Sequence, residues 1–188
     1  MCTLHDSIEE TKAPGISRRF FAASAMAGAA ALSIGSLRAA GILSQALCVM
    51  CIDPRLVNRG VQFFNGLVRP PPPPPPVLPY DIVALAGASL AAVGPAFPES
   101  AGAFWSHVDI AKGLHHIKKI VVLDHRQCGA YEVQFGSQYV TTDPGELEQH
   151  KQIMKLVKAE AERRKVGLPI EFYLMAIDPG KPTIKVDV

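Results

Sequence analysis

The sequence predicts an α/β domain in which a small central parallel sheet of about four strands is flanked by helices. Four short runs, "ALCVMCID" from Ala46, "DIVAL" from Asp81, "IVVLDH" from Ile120 and "IEFYLMAID" from Ile170, are continuously apolar rather than alternating. That is the pattern of strands buried on both faces. The runs are separated by segments with helical character, as crossovers between parallel strands require. A length of 188 residues suits one domain of ordinary size and leaves no room for a second.

The first forty residues stand apart. "SRRFFAASAMAGAAALSIGSLRAAG" places the pair Arg18-Arg19 ahead of Phe20-Phe21 and an Ala/Gly-rich run that ends in small residues near Ala39 and Ala40. It resembles a bacterial twin-arginine export signal, so residues 1–40 read as a signal peptide. Residues 41–188 then read as a single domain in the periplasm or secreted. An uncleaved anchoring helix is the alternative, although the run barely reaches the ~20 residues of a membrane span. Nothing later in the chain is a span, so no membrane segment is expected in the mature form.

Within the domain, "ALCVMCID" is the first strand, closed by Asp53-Pro54. "RLVNRGVQFFNGLV" is a mixed segment, read as a short helix with Phe63 and Phe64 packed inward. Seven consecutive prolines, Pro70 to Pro76, follow. They form a polyproline rod of ~20 Å at about 3.1 Å per residue. It reads as a stiff connector over 69–79, with a ligand for a proline-binding module as the other reading. The second buried strand is Ile82 to Leu85, and a loop with Gly94, Pro95 and Pro98 leads on. In "ESAGAFWSHVDIAKGLHHIKK", Phe104, Val108, Ala111 and Leu114 recur at helical spacing. His107, His115 and His116 read as solvated or as favourable near the helix C-terminus. After the strand "IVVLDH" comes the clearest helix, with Asp143 as N-cap, Pro144 in the first turn, Glu146 three residues on, basic Arg163 to Lys165 at the end, and Gly167 and Pro169 as the stop. "IEFYLMAID" is the last strand.

Charge excludes some functions. The formal net charge is +2, and beyond residue 40 there remain 15 basic and 14 acidic residues, so neither nucleic acid nor an anionic membrane surface is expected as a partner. Cys2 falls in the signal, which leaves Cys48, Cys51 and Cys128. An odd number in an exported chain means a free thiol or a use other than disulfides, such as a metal. Cys48 and Cys51 spell C-x-x-C, a redox pattern, but positions three apart on a strand point to opposite faces, and Cys48 reads as core.

In a parallel sheet, ligands gather beyond the carboxyl ends of the strands. "CIDPR" leaves the first strand there, with Cys51, Asp53 and Arg55, and "DHRQC" leaves the third, with His125 and Cys128. Two thiolates and an imidazole are a three-ligand set suited to zinc with one position left open. Taken singly, each cysteine also reads as a small buried hydrophobe, and Asp53 with Arg55 as a local ion pair closing the turn at Pro54.

Cys51-Ile52-Asp53-Pro54-Arg55 followed by His125-Arg126-Gln127-Cys128-Gly129 resembles the paired C-x-D-x-R and H-x-x-C-G signatures of β-class carbonic anhydrases. The likeness extends from about Ala46 to Asp178 in the order of elements. It implies one Zn2+ per chain held by Cys51, His125 and Cys128, with Asp53 and Arg55 as the dyad beside it. It implies reversible hydration of carbon dioxide to bicarbonate by zinc-bound hydroxide, in a homodimer or higher homo-oligomer. Asp53 would orient the hydroxide, and Arg55 would hold the carboxylate by a fork-shaped ion pair. In some members that aspartate closes onto the metal. The sequence also departs from the family. About ten residues, rather than a helical arm, separate the expected cleavage point near residue 40 from Cys51. "LAGAS" stands where Arg-Asn-Ala-Gly-Asn is common, and Asp124 stands where glycine is frequent. The missing arm bears on the dimer mode and the other departures on the pocket, while the ligand set is intact. A related hydrolase for carbonyl sulfide or carbon disulfide, and a non-catalytic zinc-binding protein of the same fold, remain as alternatives.

Overall fold

A computed structural model describes residues 43–68, 79–141 and 144–188, all within the compact unit Gly41–Val188. The export-signal expectation for residues 1–40, the proline run Pro70–Pro76 and the N-cap role of Asp143 lie outside the described residues. The elements in chain order are β1 (Ala46–Met50), α1 (Val57–Leu67), β2 (Tyr80–Ala84), α2 (Ser89–Val93), α3 (Pro98–Leu114), β3 (Lys119–His125), α4 (Gly129–Phe135), α5 (Gln138–Thr141), α6 (Gly145–Arg163), β4 (Ile170–Met175) and β5 (Ile184–Val186).

The strands form one sheet in the order β2-β1-β3-β4-β5. The first four are parallel, with Ala46 opposite Tyr80 and Lys119, and Ile120 opposite Ile170. The short β5 runs antiparallel beside β4. It is an addition to the four expected strands, and three residues are too few to carry a periodic signal.

Side-chain alternation sends each strand into two cores. Leu47, Val49 and Cys51 face the layer that holds Leu90, Phe104, Val108, Met154 and Val157 from α2, α3 and α6. Ala46, Cys48 and Met50 face α1, whose Phe64 is fully buried. Phe64 packs edge-on against Tyr80 at 5.7 Å, and its neighbour Phe63 packs against Tyr173 at 5.0 Å, geometries that aromatic quadrupoles favour. Cys48 and Cys51 therefore lie on opposite faces, as alternation demands. Burial pushes the Cys48 thiol far up, so it stays a neutral core group.

Three local expectations change. β2 is the edge strand rather than a fully buried one, and Ile82 is 45% exposed. Its apolar run misleads because only one long side of the strand is covered. Pro98 opens α3 rather than sitting in the loop before it; a proline is favoured in the first turn, where its missing N–H has no partner to lose. His115 is not simply solvated. It ends α3 with Nδ1 2.9 Å from the Asp81 carboxylate on β2. Among the described residues, no helix is long and apolar enough to cross a membrane.

Candidate metal centre

Three elements that end or begin at the carboxyl edge of the sheet bring the expected residues together. Cys51 is the residue after β1, His125 the last of β3, and Cys128 the residue before α4. The ligand atoms of Cys51, His125 and Cys128 all lie within 4.8 Å of one another, and the two Sγ atoms are 3.9 Å apart. The residues are 6%, 2% and 2% exposed. This cluster could hold a metal ion.

The hydrogen bonds leave the donor atoms turned inward. His125 Nδ1 lies 2.8 Å from the Arg126 carbonyl, which can only accept, so the neutral ring carries its proton on Nδ1. That places the lone pair on Nε2, which is buried without a hydrogen-bond partner. A buried ring nitrogen lacking a partner is unfavourable unless something electrophilic faces it. With two thiols within 4.8 Å of it, the donor set fits a borderline-soft cation such as zinc. The Gly87 N–H also donates to Cys51 Sγ at 3.3 Å. The bond to Cys128 pulls the Cys51 thiol down to about 4 against the opposing effect of burial, and His125 and the Gly87 amide add to the pull. The Cys51 sulfur and burial push Cys128 up. Burial works against the charged form of His125, yet the Cys51, Arg126 and Asp53 contacts outweigh it and raise the imidazole above its ordinary value.

Asp53 and Arg55 form the pair the spacing suggested. Arg55 Nε and Nη2 donate to the two carboxylate oxygens at 2.9 and 2.6 Å, and the Arg55 N–H adds a third bond at 3.0 Å. The guanidinium holds the Asp53 carboxyl down to about 2, so it is ionised throughout the neutral range. Arg55 Nη2 also donates to the Gln127 carbonyl at 3.2 Å, which ties the loop after β1 to the turn between His125 and Cys128. Asp53 Oδ2 stands 3.8 Å from His125 Nε2, next to the ligand cluster without occupying it.

A cleft of about 360 Å³ borders the cluster, and its lining includes Cys51, Asp53 and Cys128 together with the apolar Ala86, Phe97 and Val133. The small residues of "LAGAS" therefore do two things. Ala86 gives an apolar wall, and Gly87, at φ +77°, brings its amide to the sulfur.

Sequence reasoning missed a polar layer behind the ligands. Asp124 is 1% exposed and accepts from the Ser89 N–H at 2.9 Å, the Ser89 hydroxyl at 2.5 Å, the Tyr131 hydroxyl at 2.9 Å and His150 Nδ1 at 2.8 Å. Glu146, read from the sequence as part of a helix cap, instead accepts from the Gln127 N–H and from Arg126 Nη1. The one available signal was an acidic residue at the end of an apolar strand, which needs partners wherever it is buried.

Comparisons add relatives without a described role. Uncharacterised proteins of Rickettsia bellii and Rickettsia conorii are each 29% identical over 132 residues, which is 70% of this chain and 76% and 67% of theirs. No protein-family profile matches the chain. Among solved structures, the β-carbonic anhydrase CafA of the fungal pathogen Aspergillus fumigatus aligns with a TM-score of 0.42 and 19% identity, over 90% of this chain and 91% of that one.

Proposed function

We propose that the chain is a zinc-dependent lyase that hydrates carbon dioxide to bicarbonate, with Cys51, His125 and Cys128 as the metal ligands and Asp53 and Arg55 as the catalytic dyad. The observation that carries this reading is the buried, partnerless His125 Nε2 converging with two thiols beside an ionised, arginine-held carboxylate. The resemblance of "CIDPR" and "HRQCG" to the β-class signatures supports the same assignment.

Zinc, when bound, lowers the pKa of a coordinated water so that hydroxide is available near neutrality. The chain's residues do the rest. Asp53 is a permanent acceptor at the mouth of the cluster, suited to take a proton-bearing group and aim its lone pair into the cleft. Arg55 fixes that carboxylate in one orientation and, through the Gln127 carbonyl, keeps it in register with the ligand turn. Ala86, Phe97 and Val133 favour a small uncharged electrophile over an ion. The same apolar wall supports a second reading, hydrolysis of carbonyl sulfide or carbon disulfide. Export of the chain through the twin-arginine route, a periplasmic location and a homodimer belong to this proposal as well.

Purified protein is expected to hold close to one zinc per chain and to lose it in Cys128→Ser. Stopped-flow hydration of carbon dioxide is expected to fall by ~10²-fold or more in Asp53→Ala, the size of a lost proton-handling group, while zinc stays bound. Unchanged turnover in Asp53→Ala removes that residue from the mechanism. Zinc-loaded wild type with no turnover on carbon dioxide, carbonyl sulfide or carbon disulfide leaves a binding protein in place of an enzyme.

A further inference from the structure

The segment Asp124 to Cys128 carries two of the three proposed ligands, and its neighbours on both sides are tied to one face of α6. Glu146 and His150 are four residues apart, so they stand one turn above each other on that face. Both are buried, at 4% and 0% exposed. Glu146 accepts from the N–H of Gln127, the residue just before Cys128, and from Arg126 Nη1 at 3.1 Å. His150 Nδ1 donates to Asp124, the residue just before His125, at 2.8 Å. Gln127 sits at φ +55°, a left-handed conformation that a residue with a side chain adopts only when its surroundings hold it there. Glu146 supplies that hold from one side of the turn, and Arg55 Nη2 supplies it from the other through the Gln127 carbonyl.

Packing alone does not account for this arrangement. Burying the carboxylates of Asp124 and Glu146 is expensive unless every lone pair finds a donor, and apolar side chains of similar volume would fill the same space at less cost. The charged and polar contacts instead converge on the residues that directly precede His125 and Cys128. Tyr131, three residues after Cys128, joins the same carboxylate from α4. Outer hydrogen bonds of this kind set ligand orientation and tune the affinity of metal sites.

We infer that Glu146 and His150 are positioning residues of the metal centre: through Gln127 and Asp124, one turn of α6 fixes where Cys128 Sγ and His125 Nε2 point. The inference rests on the reading of Cys51, His125 and Cys128 as metal ligands.

Cobalt(II) tests it on the full chain, because its d–d and thiolate charge-transfer bands report coordination geometry independently of turnover. Glu146→Gln keeps the shape and loses the charge. His150→Phe keeps a ring against Tyr131 and loses the bond to Asp124. Val157→Ala, deep in the same helix face and remote from the turn, serves as a control for lost stability. Glu146→Gln and His150→Phe are expected to weaken cobalt binding by about 10-fold or more, measured by chelator competition, and to shift the bands. Val157→Ala is expected to lower the melting temperature and to leave both readouts as in the wild type. If His150→Phe does not fold, Glu146→Gln decides. Wild-type affinity and bands in Glu146→Gln overturn the inference while leaving the metal reading intact. A wild-type chain that takes up no cobalt overturns the metal reading and the inference with it.

Discussion

Gly87 concentrates several demands in one residue. Its φ of +77° is ordinary for glycine and strained for any side chain, and an added Cβ would lie 2.9 Å from Leu90 Cβ and 3.1 Å from Ala130 Cβ. Neither neighbour is the tip of a flexible chain, so the backbone would have to move. The N–H that would move with it donates to Cys51 Sγ. Gly87→Ala is therefore expected to lose about 1–2 kcal/mol of stability in chemical denaturation from the left-handed backbone alone, and to weaken zinc uptake as well. A variant that loses stability and keeps wild-type zinc affinity would show that the amide–sulfur bond does not matter to the metal. The neighbouring Ala88, at φ +46° and fully buried, is a second strained position beside the site. Strain of this kind persists only where surrounding contacts over-determine the backbone.

At the scale of elements, α6 has a working end and a stabilising end. Its first turns carry Glu146 and His150 toward the ligand turn, while its last turn is closed by Glu160, which accepts from Arg163 at 2.6 and 2.7 Å and from Arg164 at 2.6 Å. Those guanidinium bonds hold the Glu160 carboxyl down to about 2, from an ordinary value of 4.5. A folded-state value below the unfolded one stabilises above the unfolded value and is lost as pH falls through the folded one. The melting-temperature gap between the parent and Glu160→Gln should therefore be constant above about pH 4.5 and close as the pH approaches 2; a gap that widens toward acid contradicts the pairing. This helix also shows what a sequence can and cannot disclose. Its extent and its basic end follow from first-turn and stop residues and from composition, which are local. The partners of Glu146 and His150 do not, because Gln127 and Asp124 reach them only after β3 and α6 have packed. The short α4 and α5 escaped notice for a related reason: "EVQFGSQYV" has too few turns to display a period, and Gly136 interrupts it. By contrast, Cys51, His125 and Cys128, with Asp53 and Arg55, could be singled out because two short motifs taken as a pair resemble a known signature, and the fold brings these side chains near one another.

Across the whole molecule, the ligand cluster joins segments distant in the chain at the edge where β1 and β3 end, so a bound cation would cross-link the middle of the sheet. A metal that binds the folded chain and not the unfolded one stabilises it by mass action, about 2.7 kcal/mol at free zinc 100 times the Kd and about 4.1 kcal/mol at 1,000 times. The two-faced sheet supplies an internal control. Cys48 and Cys51 are three residues apart, yet Cys48 lies in the α1 core and Cys51 at the cluster. Cys48→Ala is expected to lower the baseline stability by leaving a small cavity while keeping the full zinc-dependent increment. Cys128→Ser is expected to erase that increment, so its melting temperature no longer responds to added zinc or to a chelator. Thermal unfolding of the two variants with and without zinc makes the distinction. An increment lost in Cys48→Ala, or retained in Cys128→Ser, would mean that the cation sits elsewhere on the molecule. The prediction thus tests the link from strand alternation to ligand identity, and it does so whether or not the chain turns over carbon dioxide.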